Sequence, residues 1–113
     1  MALRLNPRDP TNWERHNTLA IAHFVAGNDE MCLKEARITV QACPVLPEGL
    51  IMLAAAASSL GAIDEARRAA AQCVSHSPGI RLENMAPVYL LRLMNQDDRE
   101  RLSALLVKAG FPQ

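Results

Sequence analysis

The chain has 113 residues, half of them hydrophobic and 4% aromatic, with 12 basic side chains against 12 acidic ones. That length suits one domain with one core, and so few aromatics point to helices packed through alanine and leucine rather than to a β-sandwich. A net charge of zero leaves no electrostatic footprint for nucleic acid or an anionic membrane, and the chain carries neither a membrane-length apolar run nor a signal-peptide pattern.

Asp9 is an N-cap and Pro10 a first-turn residue for a helix running to about Ala26. Gly27 ends it, because glycine enters the left-handed conformation without a Cβ penalty. Asn28 caps a second helix, with Asp29 and Glu30 against its positive dipole end. Its apolar residues are Met31, Cys32, Leu33, Ala36, Ile38, Val40 and Ala42, a set wide enough to face two neighbours. Pro44 and Pro47 bracket a tight link, and Pro47 opens a third helix through the run Leu53 to Ala57, which Gly61 terminates. A fourth helix over about 63–75 carries Asp64 and Glu65 in its first turn. It turns Ala66, Ala69, Ala70 and Cys73 inward and Arg67, Arg68 and Gln72 outward. Ala20 and Ala54 are expected at the seams where paired helices touch.

Beyond Gly79, Asn84 and Pro87 start a fifth helix that reaches about Met94. Asn95 with Asp98 forms a capping-box pattern for a sixth helix to Ala109. That helix buries Leu102, Leu105 and Leu106, with Val107 at the margin of the set. Gly110 and Pro112 stop it. Asp97, Asp98, Arg99, Glu100, Arg101 and Lys108 supply a polar outer face.

No constellation for catalysis is present. His16 and His23 lie seven residues apart on one helix without a third ligand, and no Cys-x-x-Cys or His-Glu-x-x-His occurs, so no metal or cofactor is expected. His23 is read as a half-buried groove residue and His76 as a complement to its helix C-terminus. Cys32, Cys43 and Cys73 are expected as small core residues. Three cysteines without motif spacing also fit reduced thiols in the cytoplasm. Ser58 and Ser59 lack a nucleophile elbow, and no phosphate loop or dinucleotide fingerprint appears. Trp13, the sole tryptophan, is either a core anchor or an exposed contact residue.

One spacing unites these elements. Glu14 and Glu48, Leu19 and Leu53, Ala20 and Ala54, Gly27 and Gly61, Pro10 and Pro44, and Pro44 and Pro78 are each 34 residues apart. A helical hairpin with this period resembles the tetratricopeptide repeat. The residues that carry the resemblance are Leu19-Ala20, His23, Gly27 to Cys32 and Pro44, then Leu53-Ala54, Ala57, Gly61 to Ala66 and Pro78. Cys32 stands where the family usually has alanine, and His23 where it usually has tyrosine.

The resemblance implies an all-α fold of antiparallel hairpins stacked as a short right-handed solenoid. Residues 10–44 and 45–78 would be two repeats, and 79–113 a degenerate third repeat acting as a C-terminal cap. Ala2, Leu3, Leu5, Asn6 and Pro7 are similar to the run-out of a repeat's second helix, so 1–9 is expected to be the end of a preceding repeat or a linker. The ending from Leu105 to Pro112 resembles the C-termini of bacterial signalling proteins. In these a tetratricopeptide segment follows a class III adenylate or guanylate cyclase or a DNA-binding regulator domain. No residue of either domain lies in this chain, so no catalytic position is carried over and the chain is not expected to be an enzyme.

The implied function is protein–protein interaction through a groove on the first helices. By helical spacing its residues are Asn17, Ile21, Phe24 and Val25, then Glu48, Ile51, Ala55, Ser58 and Ser59. The family's clamp for acidic chaperone tails needs asparagine where Ile21 and Met52 stand and lysine where neither helix has one. An apolar groove fits a second copy of the chain, forming a homodimer through the end of the first helix, or another domain of its parent protein. Nucleic acid, membrane and small-molecule substrates are not expected. The alternative is a purely structural cap on a longer array, with no ligand of its own.

Overall fold

The computed structural model describes residues 13–79 and 95–111. The expected start at Asp9 and Pro10, the run-out at Ala2 to Pro7 and the expected helix from Asn84 to Met94 lie outside those residues. The described residues are all-α and contain no strand: α1 (Trp13–Val25), α2 (Asp29–Ala42), α3 (Pro47–Ser59), α4 (Ile63–His76) and α5 (Gln96–Lys108).

The local signals act as their chemistry dictates. The Asn28 side chain accepts from the Met31 N–H at 3.3 Å, capping α2. Asn95 and Asp98 exchange the reciprocal bonds of a capping box at the start of α5. Pro47 sits in the first turn of α3, where its missing N–H costs nothing. Three helices end alike: the N–H groups of Asn28, Ala62 and Phe111 reach back to the carbonyls of His23, Ala57 and Leu106 at 2.8–2.9 Å. The glycine before each, Gly27, Gly61 or Gly110, has positive φ. A Cβ on Gly61 would meet nothing within 4 Å, so its substitution tests the backbone alone. Gly61→Ala is expected to cost about 1 kcal/mol and lower the melting midpoint by about 4–8 °C, read by circular dichroism. An unchanged midpoint would show that the turn does not need the left-handed residue.

Helices α1 and α2 pair across the Gly27 turn, α3 and α4 pair across Gly61, and α3 packs on α2. The two pairs share one plan. Both α1 and α3 have 13 residues, both α2 and α4 have 14, and each boundary recurs after 34 residues. Burial recurs at the same step: Asn17, Ala20, Ile21 and Phe24 in α1 match Ile51, Ala54, Ala55 and Ser58 in α3. Cys32, Glu35, Ala36 and Thr39 in α2 match Ala66, Ala69, Ala70 and Cys73 in α4. The small residues at Ala20, Ala54 and Ala55 let helix backbones approach. Helix α3 is buried without a break from Glu48 to Ser58, so it is the central element.

Helix α5 lies against α3 and buries Leu102 and Leu106, with Ala109 and Phe111 completing the contact. Leu105 is half-buried, whereas Val107 is 44% exposed and outside the core. Arg101, expected on the polar outer face, instead turns inward onto Phe24 and Asp29. Its long side chain reaches a carboxylate and a carbonyl that an outward rotamer would miss.

Candidate functional site

The face expected to form the groove is assembled but largely covered. Asn17, Ile21, Phe24, Glu48, Ile51, Ala55 and Ser58 are buried, Val25 is half-buried, and only Ser59 is exposed. Phe24 and Ile51 are both 0% exposed, which makes them core side chains rather than open anchors. His23 is half-buried as expected, and Arg67 and Arg68 face outward. Cys32 and Cys73 are buried, while Cys43 is half-buried and caps the end of α2.

Arg101 of α5 holds part of the cover in place. Its guanidinium carbon lies 3.9 Å above the centroid of the Phe24 ring, a cation–π contact. The same group donates to both carboxylate oxygens of Asp29, at 3.1 and 3.3 Å, and to the Phe24 carbonyl. Ser59 donates its hydroxyl to Asp29 from the end of α3. Asp29 therefore ties the first turn of α2 to both α3 and α5. The Phe24 carbonyl belongs to the last turn of α1, whose end carbonyls need donors.

Polar pairs lie at the opposite end of α1. The Nδ1 atom of His16 is 2.5 Å from Glu35 Oε1. Asn17 Nδ2 donates to Glu48 Oε1 at 3.0 Å, between α1 and α3. Asn17 is 6% and Glu48 3% exposed, and Asn17 Oδ1, Glu48 Oε2 and Ser58 Oγ are buried with no hydrogen-bond partner among the described residues. Helical spacing had placed Asn17 and Glu48 on one face. Their contact depends on the register of α1 against α3, which spacing within one helix does not encode. A hollow of about 190 Å³ opens beside them, lined by Trp13, Glu14, Asn17 and Thr18. Trp13 is half-buried there. A wider depression of about 580 Å³ lies between α4 and the end of α5, lined by Arg67, Ala70, Ala71, Val74, Ala109 and Gly110.

On the surface Arg37 forks onto Glu65, donating at 2.8 and 2.7 Å between α2 and α4. This bond holds the Glu65 carboxyl below its usual range and raises the Arg37 guanidinium. Burial pushes the Cys32 thiol up to about 12 and the Cys73 thiol up to about 11. Both thiols stay protonated at neutral pH and are poor nucleophiles. Among the described residues no three His, Cys, Asp or Glu side chains gather as metal ligands. No helix among them is long and apolar enough to cross a membrane. The chain matches no protein-family description, no curated protein and no solved structure.

Proposed function

We propose that the chain is a protein–protein interaction module of tetratricopeptide type. In this reading it works in the cytoplasm as a regulatory or oligomerisation segment of a larger bacterial signalling protein. The observation that carries the reading is the 34-residue recurrence of helix boundaries and buried positions together. Hairpins of that period stack through their faces and present a surface rather than a reaction centre. The glycine-ended turns at Gly27 and Gly61 support the same reading, as does the lack of any gathered acid, base and nucleophile among the described residues. The partner is a second copy of the chain or a neighbouring domain of its parent.

The burial of the groove residues favours a second reading, in which the segment only closes the end of a longer array. Sedimentation of the parent chain and of Arg101→Gln, over a hundredfold concentration range, separates the two. The 12.4 kDa chain is expected to associate reversibly. Loosening α5 should strengthen association about tenfold by uncovering the Phe24 face, each large side chain there being worth ~1.5–3 kcal/mol when reburied. Monomers throughout for both proteins, with native helicity, would favour the structural cap.

A further inference from the structure

Helix α5 follows the period in its place along the chain but not in its packing. A 34-residue step from the start of α4 at Ile63 falls at 97, and α5 starts at Gln96. The same step from the buried residues of α4, Ala66, Ala69, Ala70 and Cys73, falls on Glu100, Ser103, Ala104 and Val107. All four of these are exposed. What α5 buries instead is Leu102 and Leu106. At about 3.6 residues per turn these lie on roughly the opposite side of the helix. That side lies against α3, and Arg101 next to it reaches the end of α1 and the first turn of α2. The side that a further repeat would bury is left open, and α5 rests on the α1–α3 face as a bound helix would.

We propose that α5 is an internal stand-in for the partner, which takes the same face with an amphipathic helix of another polypeptide. That helix carries an arginine followed by leucine at the next and the fifth positions, as Arg101, Leu102 and Leu106 do. The chemistry of the face asks for this pattern. Asp29 offers both carboxylate oxygens, the last turn of α1 offers the Phe24 carbonyl, and the Phe24 ring offers a surface for a planar cation. Only a guanidinium can fork onto the oxygens while stacking on the ring. The contact can also open. The Arg101 side chain is 35% exposed and that of Asp29 17%, so water and a competing cation reach the pair, and ion pairs open to water hold little free energy. The Asn95–Asp98 box caps α5 through bonds within α5, so its helix start does not depend on the face beneath it. A displacing helix buries its own leucines where Leu102 and Leu106 leave, and the better-fitting helix prevails. A second copy is the weaker candidate, because exchange of α5 between copies trades one set of contacts for the same set.

This proposal rests on the interaction reading, and its test is separate from the sedimentation that tests that reading. A fluorescein-labelled peptide with the sequence of residues 95–111 is titrated with the full chain and followed by anisotropy. The parent chain is expected to bind it weakly, because α5 holds the face at the high effective concentration of a tethered helix. The Arg101→Gln chain should bind it about tenfold more tightly, the scale of one hydrogen bond to a charged group lost by the internal competitor. A peptide that itself carries Arg101→Gln should bind that chain about tenfold more weakly than the unchanged peptide. Asp29→Asn should bring no gain over the parent, since Asp29 serves α5 and the peptide alike. Circular dichroism follows the fold of each chain, and loss of helicity in Arg101→Gln would make α5 part of the core and overturn the proposal. Equal binding by the parent and Arg101→Gln chains, binding by neither, or equal binding of the two peptides would also overturn it. Self-association that Arg101→Gln abolishes rather than strengthens would make the occupant the α5 of a second copy and overturn the foreign source. A flat titration beside concentration-dependent sedimentation would remove this site and leave the interaction module standing.

Discussion

A chain carrying Phe24→Ala with Ile51→Ala is expected to lose its cooperative thermal transition, not only its capacity to hold a partner. Both side chains are fully buried, Phe24 under the Arg101 guanidinium and Ile51 in the central helix α3. Truncating a buried phenylalanine costs about 3–5 kcal/mol and a buried isoleucine about 2–5, because removed contacts and an unfilled cavity add. Small domains hold about 5–15 kcal/mol in total. The double variant therefore consumes most or all of the margin. Its far-ultraviolet circular dichroism should fall already at room temperature. Phe24→Leu, which keeps much of the volume, should retain a transition at a reduced midpoint. A double variant that melts with the parent would show that these residues lie at an open surface.

That expectation reverses the reading that helical spacing alone supports, in which Phe24 and Ile51 are groove anchors whose loss spares the fold. Spacing puts Asn17, Ile21 and Phe24 in α1 on one face with Ile51, Ala55 and Ser58 in α3, and all six are buried. It carries no information about what covers that face. Part of the cover is α5, whose Arg101 meets partners 72 and 77 residues back along the chain. Nothing local to Arg101 distinguishes it from Arg99 or Lys108, which remain exposed.

What was legible is what is written locally. Gly27, Gly61 and Gly110 each sit in the left-handed region. Asn28 and Asn95 cap where their side chains can reach an N–H three residues on. The ends of α1, α4 and α5 fall one residue from the positions that the sequence marks at Ala26, Ser75 and Ala109. The polar pairs His16–Glu35 and Asn17–Glu48 were illegible for the same reason as the cover. Each joins residues 19 and 31 positions apart, and their meeting is set by interhelical register. A weak signal did exist: asparagine and glutamate at otherwise apolar face positions demand partners, since burying them alone is costly.

Gly49 carries a constraint that neither turn chemistry nor periodicity points to, and its substitution is the second large effect expected. It is buried inside α3, where glycine is ordinarily a weakness of ~1 kcal/mol against alanine. On propensity alone, Gly49→Ala should therefore stabilise. The packing says otherwise. A Cβ at Gly49 would stand 2.9 Å from Cγ2 of Thr39 and 3.5 Å from Cγ2 of Val40, on the facing helix α2. Thr39 cannot yield easily, because it is fully buried and its hydroxyl donates to the Glu35 carbonyl at 2.9 Å. Rotating the methyl away would break that bond inside the core. Overpacking of this kind costs about 1–3 kcal/mol, so Gly49→Ala should be destabilising despite the propensity gain, and the bulkier Gly49→Val should lose about 3 kcal/mol. Thr39→Ser removes the obstructing methyl and keeps the hydroxyl. In the Thr39→Ser background, Gly49→Ala should become neutral or stabilising, a coupling that chemical denaturation of the four proteins measures directly. Additive effects would mean that α2 and α3 can separate at this point without loss. A strong coupling would locate the closest approach of the two hairpins at the first turn of α3, beside the Glu48 carboxylate that holds Asn17.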